Sequence, residues 1–174
     1  MPGKCPTQAR SRLNRYSRLA ALAALTLGFA ATAANAAEPS ALAVASFAFK
    51  DTSGEVRDQT AEHAARLEEF GAVLQDDLSA SQKIDLVALP CEAGRCGDLG
   101  AIATQAKAAS ARYLLVGEVH KMSTLVGWVK FAVLDLSENK PLCDRYLTYR
   151  GDTDEAWRRA AAFTARDVGK YCMP

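Results

Sequence analysis

The sequence predicts an α/β fold: a three-layer α/β/α sandwich around a mixed five-stranded sheet of order 2-1-3-4-5. Three observations lead there. Between residues 41 and 120, short apolar runs alternate with two segments of helical periodicity, the pattern of parallel strands joined by crossover helices. From residue 113 to 150, three strand-length segments follow one another with only short turns between them, the pattern of an antiparallel meander. A last amphipathic segment closes the chain. The element order is therefore β-α-β-α-β-β-β-α. Right-handed crossovers place the first three strands in parallel, and the order 2-1-3-4-5 then puts the two crossover helices on opposite faces.

The elements follow in turn. Ala41 to Lys50 carries large apolar side chains on both faces of a strand (Leu42, Val44, Phe47, Phe49), as a covered central strand does. Asp51-Thr52-Ser53-Gly54 ends it with turn chemistry. Thr60 to Ser79 reads as a helix, with Leu67, Phe70, Leu74 and Leu78 on one stripe and most charges off it. His63 falls among those charges and is expected on the solvated side. Ile84 to Leu89 is a short strand closed by Pro90, and Asp98 to Ser110 an alanine-rich helix. Tyr113 to His120, Leu125 to Leu136 and Leu142 to Arg150 are the meander strands, with turns at Ser123-Thr124 and Ser137–Lys140. In the last segment, Asp152 with Glu155 three residues on resembles a capping box. Trp157, Ala161, Thr164, Val168 and Tyr171 form the expected inward stripe.

The first 36 residues read differently. Lys4, Arg10, Arg12, Arg15 and Arg18 precede a run without charge from Leu19 to Ala33, and Ala34-Asn35-Ala36 offers small residues to a signal peptidase. Charged start, apolar middle and small-residue exit make an export signal; a spanning helix would need about 20 apolar residues. The chain is thus expected to divide into a signal peptide at 1–36 and one α/β domain at 37–174, exported to the periplasm without stable membrane insertion. Five of the 21 basic residues and none of the 20 acidic ones lie in the signal, so the remainder holds 16 against 20, a formal charge of −4. No basic stripe of the kind that neutralises phosphates occurs, which disfavours nucleic acid.

Cys5 leaves with the signal, and Cys91, Cys96, Cys143 and Cys172 remain. An even number in an exported chain favours disulfides. The local pairing Cys91–Cys96 with Cys143–Cys172 is the preferred one of three. Redox enzymes more typically show Cys-x-x-Cys, and a four-cysteine zinc site would need two close pairs. No nucleophile-elbow, Walker, GxGxxG or HExxH pattern occurs. A Glu118–His120 pair shares a strand face, but His120 and Lys121 end the strand, where polar residues meet solvent. No catalytic, cofactor or metal residues are assigned, and the protein is expected not to be an enzyme.

Several segments together carry a resemblance: LAVASFAFKDTS at 42–53, ARYLLVGEVHKMSTL at 111–125, FAVLDL at 131–136 and RGDTDEAWRRA at 150–160. They resemble a bacterial exported family of unknown function over about Leu42 to Arg166. Its order of elements is similar to that of TolB N-terminal domains and of the core of the curli-secretion protein CsgG. The resemblance implies a three-layer sandwich that works in envelope assemblies by binding proteins. Such families are also associated with periplasmic quinoprotein alcohol dehydrogenases. A small-molecule or redox accessory role beside such a dehydrogenase is therefore the alternative.

The leading expectation is a periplasmic, non-enzymatic adaptor of the cell envelope with a protein partner. Its candidate surface comprises Asp51, Thr52 and Ser53; Lys121, Ser123, Leu125 and Trp128; and Arg150, Asp152, Asp154 and Arg158. These are turns and element ends, where loops carry function on a rigid scaffold. Trp128 shares its strand face with Val126, Lys130 and Ala132, and the lysine points to incomplete cover. Trp157 is expected in the core.

Overall fold

In a flat strand Leu42 and Val44 would face one way, and Phe47 and Phe49 the other. The computed structural model, which describes residues 39–89 and 97–174, packs all four against one core. The expected strand Ala41–Lys50 is in fact two, β1 (Ser40–Val44) and β2 (Ala48–Asp51). Both pair in parallel with β4 (Tyr113–Lys121). Val44 stands opposite Leu115 and Ala48 opposite Glu118, so four steps on one strand match three on the other. One extra residue reverses the alternation, as a β-bulge does, and the sheet has six strands rather than five. Phe47 lies over Gly117, where a Cβ would collide with its ring and with the Lys130 carbonyl.

The remaining elements are α1 (Thr60–Ser79), β3 (Ile84–Val87), α2 (Leu99–Ala108), β5 (Val126–Asp135), β6 (Lys140–Arg150) and α3 (Asp154–Asp167). The sheet runs β3-β1-β4-β5-β6, with β2 beside β4. β1 is parallel to β3 and β4, whereas β5 and β6 are antiparallel additions.

The two faces are covered unequally. α1 and α3 pack together on the face that holds Leu42, Leu115, Phe131 and Val133. Full burial of a side chain such as Phe70, Leu74 or Trp157 is worth about 1.5–3 kcal/mol. The half-exposed Arg158–Glu69 pair between the helices adds under about 1 kcal/mol. The helix pair is therefore held by apolar packing. The opposite face carries α2, capped by the Asp98 carboxylate on the Ala101 amide at 2.9 Å. It packs with Ala43, Ala45, Leu114 and Leu136. Lys130, Tyr146 and Thr148, further across the same face, are exposed. The expected three-layer sandwich is thus complete on one side and partial on the other, because a ten-residue helix spans too little of the sheet.

Two ends differ from expectation. Thr153, not Asp152, caps α3, its hydroxyl accepting from the Ala156 amide at 3.2 Å. After α3, Val168–Cys172 forms a π turn, closed by the Met173 amide on the Val168 carbonyl. The extra residue per turn swings Tyr171 out to 51% exposure and turns Cys172 inward. There Cys172 is joined to Cys143 of β6. The expected signal at 1–36 and the Cys91–Cys96 pair lie outside the described residues. Among the described residues, no helix is long and apolar enough to cross a membrane.

Candidate functional site

The carboxyl ends of β2 and β4 lie side by side, and the chain leaves them in different directions. In open α/β sheets this is where ligands bind. Here the crevice is filled by the protein's own charges. The odd-numbered residues of β4, Tyr113, Leu115 and Val119, line the two-helix core. The next on that row is Lys121, whose side chain is 2% exposed. Its ammonium donates to Glu55 at 2.5 Å and Gln59 at 3.2 Å, and stands 2.9 Å from Asp152 and 3.8 Å from Asp51.

Asp152 is the hub. Gly151, at φ +88°, makes a left-handed turn that glycine allows without strain, and this brings the next residue inward. The Asp152 carboxylate accepts from His63 Nε2 at 3.0 Å, Arg66 Nη1 at 3.1 Å and Trp157 Nε1 at 3.1 Å, besides Lys121. Arg66 also donates to Asp154 at 2.7 Å. Phe49, His63 and Trp157 stack around the group with ring centroids 4.9 to 6.0 Å apart. His63, expected in solvent, is 3% exposed; its Nε2 is bonded to Asp152, and Asp51 Oδ2 lies 3.9 Å from its Nδ1.

Burial alone would raise the Asp152 pKa, but hydrogen bonds from Lys121, His63 and Trp157 outweigh it and hold it at about 2. Burial likewise disfavours the Lys121 ammonium, and hydrogen bonds to Asp152 and Glu55 more than compensate, leaving its pKa above the ordinary value. A lysine held protonated is a poor nucleophile or base near neutrality, and a carboxylate held ionised is a poor acid. The cluster fastens β2, α1, β4 and α3 together. Its carboxylates face cations of the chain itself, and no metal-holding group of three or more side chains arises among the described residues.

On the other face of β4 the chemistry changes. His120 shares a hydrogen bond with Thr52 Oγ1 at 2.6 Å, and its Nδ1 is buried without a partner. Its ring meets Trp128 edge-on at 4.5 Å, and Trp128 meets Tyr146 at 5.6 Å. This aromatic row crosses the sheet face that α2 leaves open. The β4–β5 hairpin beside it exposes Met122 at 49% and Leu125 at 71%. Ser123 shapes its turn by accepting from the Leu125 and Val126 amides.

The sequence-selected residues therefore divide. Lys121 is buried in the ion cluster and Asp152 nearly so, with Asp51 and Asp154 at its rim. Asp51 also accepts from the Ser53 amide. Thr52 and Trp128 flank His120, Leu125 and Ser123 form the hairpin tip, and Arg158 pairs with Glu69. Arg150 ends β6, exposed. Sequence reasoning missed Glu55, His63 and Arg66 as members of the cluster.

A family model, DUF3280, described as "Protein of unknown function (DUF2380)", matches residues 40–168. The chain belongs to this family. The match runs from β1 through α3 and includes every member of the ion cluster. No curated protein sequence matches the chain significantly. Among solved structures, the hypothetical protein CT253 from Chlamydia trachomatis is similar at TM-score 0.54 and 13% identity, over 77% of this chain and 98% of that one. The PelC dodecamer from Paraburkholderia phytofirmans is similar at TM-score 0.52 and 16% identity, over 79% and 90%. TolB from Acinetobacter baumannii aligns at TM-score 0.48 and 14% identity, over 77% and 28%. The likenesses above TM-score 0.5 show the α/β fold alone; the likeness to TolB and CsgG that the element order suggested is not confirmed.

Proposed function

We propose that the protein is an exported, non-enzymatic adaptor of the bacterial cell envelope that acts in the periplasm by binding another protein. One observation carries this reading: an exposed apolar hairpin tip, Met122 and Leu125, continuous with the aromatic row of Trp128 and Tyr146 on an uncovered sheet face. Exposed apolar groups gathered in one place mark interaction surfaces, and large aromatics supply their anchors. The crevice at the strand ends supports the same reading, because its titratable groups are locked to one another.

Site-specific photo-cross-linking tests the proposal. A photoreactive residue replaces Leu125 or Trp128 in the exported, oxidised protein, with Asp76 on the exposed side of α1 as the control position. Expected is a discrete protein adduct at both test positions, absent from Asp76 and lost when Leu125→Glu is combined with the Trp128 probe. Adducts equal at all three positions, or at none, overturn the reading.

A further inference from the structure

We infer that the groove between the edge strand β6 and helix α3 receives an extended peptide of a partner, which adds a strand to β6 and sets a carboxylate against Arg150. The inference rests on the adaptor reading and specifies a mode of binding at a surface distinct from the hairpin.

The groove follows from how two helices cover the sheet. Five strand positions at about 4.8 Å spacing make a sheet roughly 24 Å wide, while two helices packed about 10 Å apart cover roughly 20 Å. One strand's width is left over, and α3 decides where. Its C-terminal end is fastened to β6, by Arg145 on Asp167 at 2.9 Å and by the Cys143–Cys172 disulfide. Its N-terminal end is drawn inward, with Trp157 bonded to Asp152 and 5.4 Å from the Phe49 ring. Trp157 also meets the Tyr149 ring of β6 edge-on at 6.2 Å, so α3 touches the edge strand at both ends and leaves space between its small side chains and β6. A groove of about 270 Å³ opens between Leu147–Arg150 of β6 and Ala156, Ala160 and Phe163 of α3. The small alanines keep it open, and Leu147 and Tyr149, half-buried, give it an apolar floor.

Two independent features select the occupant. The first is the backbone. β6 ends the sheet, and no described strand pairs with its outer edge. Its outward amides and carbonyls along the groove can bond an added strand, whose alternate side chains then enter the groove. Lys140 and Pro141 guard the other end of β6 against indiscriminate pairing. The second is charge. Arg150 is exposed and makes no ion pair with the described residues. Arg159, which lines the groove, shares Glu155. Two lining arginines against one glutamate leave this rim cationic on a domain whose expected net charge is negative. It fits an acidic peptide and disfavours a second copy, since two such rims would face each other with like charge.

Selection of peptides from a phage-displayed library of linear dodecapeptides, on the exported and oxidised protein, tests this. The selected peptides are then synthesised and titrated. Expected are sequences that alternate apolar residues and include an acidic one. Arg150→Glu and Phe163→Ala, both at exposed positions that leave the fold intact, should each weaken them at least tenfold. N-methylation of alternate peptide amides should abolish binding in one register and spare it in the other. Peptides that bind both variants as tightly as the parent protein, or that tolerate both methylation registers, overturn the inference. So does failure to select any peptide, or self-association of the protein that Arg150→Glu abolishes. If any of these occurs while the Leu125 and Trp128 adducts persist, the groove is excluded and the adaptor reading stands. If those adducts are lost and peptide binding is retained, the hairpin is excluded and the groove stands.

Discussion

Asp152 shows how one residue's position sets its chemistry. Among Asp152, Thr153 and Asp154, three side chains compete to cap α3, and the hydroxyl of Thr153 does so. That frees Asp152 to accept four donors from three elements. A cap and a buried hub differ by one residue in register, which sequence spacing does not resolve. His63 was more legible than it first looked. It precedes Leu67, Phe70, Leu74 and Leu78 at spacings of four, three, four and four, so it lies on the core stripe despite its charged neighbours. The consequence can be measured. The Asp152 pKa is about 2, below the ordinary 3.8, so the folded state binds its proton less readily than the unfolded chain. The resulting stability is complete above about pH 5 and is lost as pH falls through 3.8 towards 2. It amounts to something on the order of 2 kcal/mol. Asp152→Asn should cost about 3 kcal/mol in urea unfolding at pH 7, because it leaves Lys121 buried beside a neutral group. That deficit should shrink by about 2 kcal/mol at pH 2. Asp135, also held at about 2, by Ser137 and Glu138, cancels in the comparison. A deficit independent of pH would remove Asp152 from this role.

At the scale of elements, most helices and strands could be read from periodicity, and the errors fall where the period changes. The large apolar residues sit at 42 and 44, then at 47 and 49. That switch from even to odd is the written trace of the bulge; taken as one strand, it looks like a two-faced apolar run. The π turn leaves no such trace, because the same residues, Val168 to Cys172, satisfy either turn until Cys143 is known to face Cys172. The bulge makes a sharp prediction. Ser46 is exposed, so Ser46→Ala should change stability by less than about 0.5 kcal/mol. Deleting Ser46 restores plain alternation and moves Phe47 and Phe49 off the two-helix core. Losing the buried Phe47 costs about 3–5 kcal/mol, and displacing the half-buried Phe49 as well brings the loss into the range of a typical domain's whole stability, about 5–15 kcal/mol. The deletion variant should therefore show no cooperative urea transition. A midpoint like that of the parent would mean that the register shift does not hold these rings in place.

For the molecule as a whole, α3 forms one wall of the proposed groove, and it is fastened at its two ends by different chemistry. The N-terminal end is held by the ion cluster through Asp152 and Trp157, and the C-terminal end by the Cys143–Cys172 bridge. The alternation of elements made the α/β class legible from the sequence. The unequal cover of its two faces was not, because it depends on how far α2 reaches across the sheet. The bridge spans 29 residues, and loop-closure entropy for that length corresponds to about 3–4 kcal/mol. Replacing both cysteines, Cys143→Ser with Cys172→Ser, should lower the urea-unfolding free energy by about that amount and make it insensitive to dithiothreitol at this site. Because the ion cluster holds the other end of the helix, the hairpin adducts at Leu125 should survive the replacement. The groove should not survive it unchanged: once the C-terminal end of α3 is released from β6, peptide affinity there should fall while hairpin cross-linking holds. Equal loss at both surfaces would show that the bridge supports the whole sheet rather than the seat of one helix on β6.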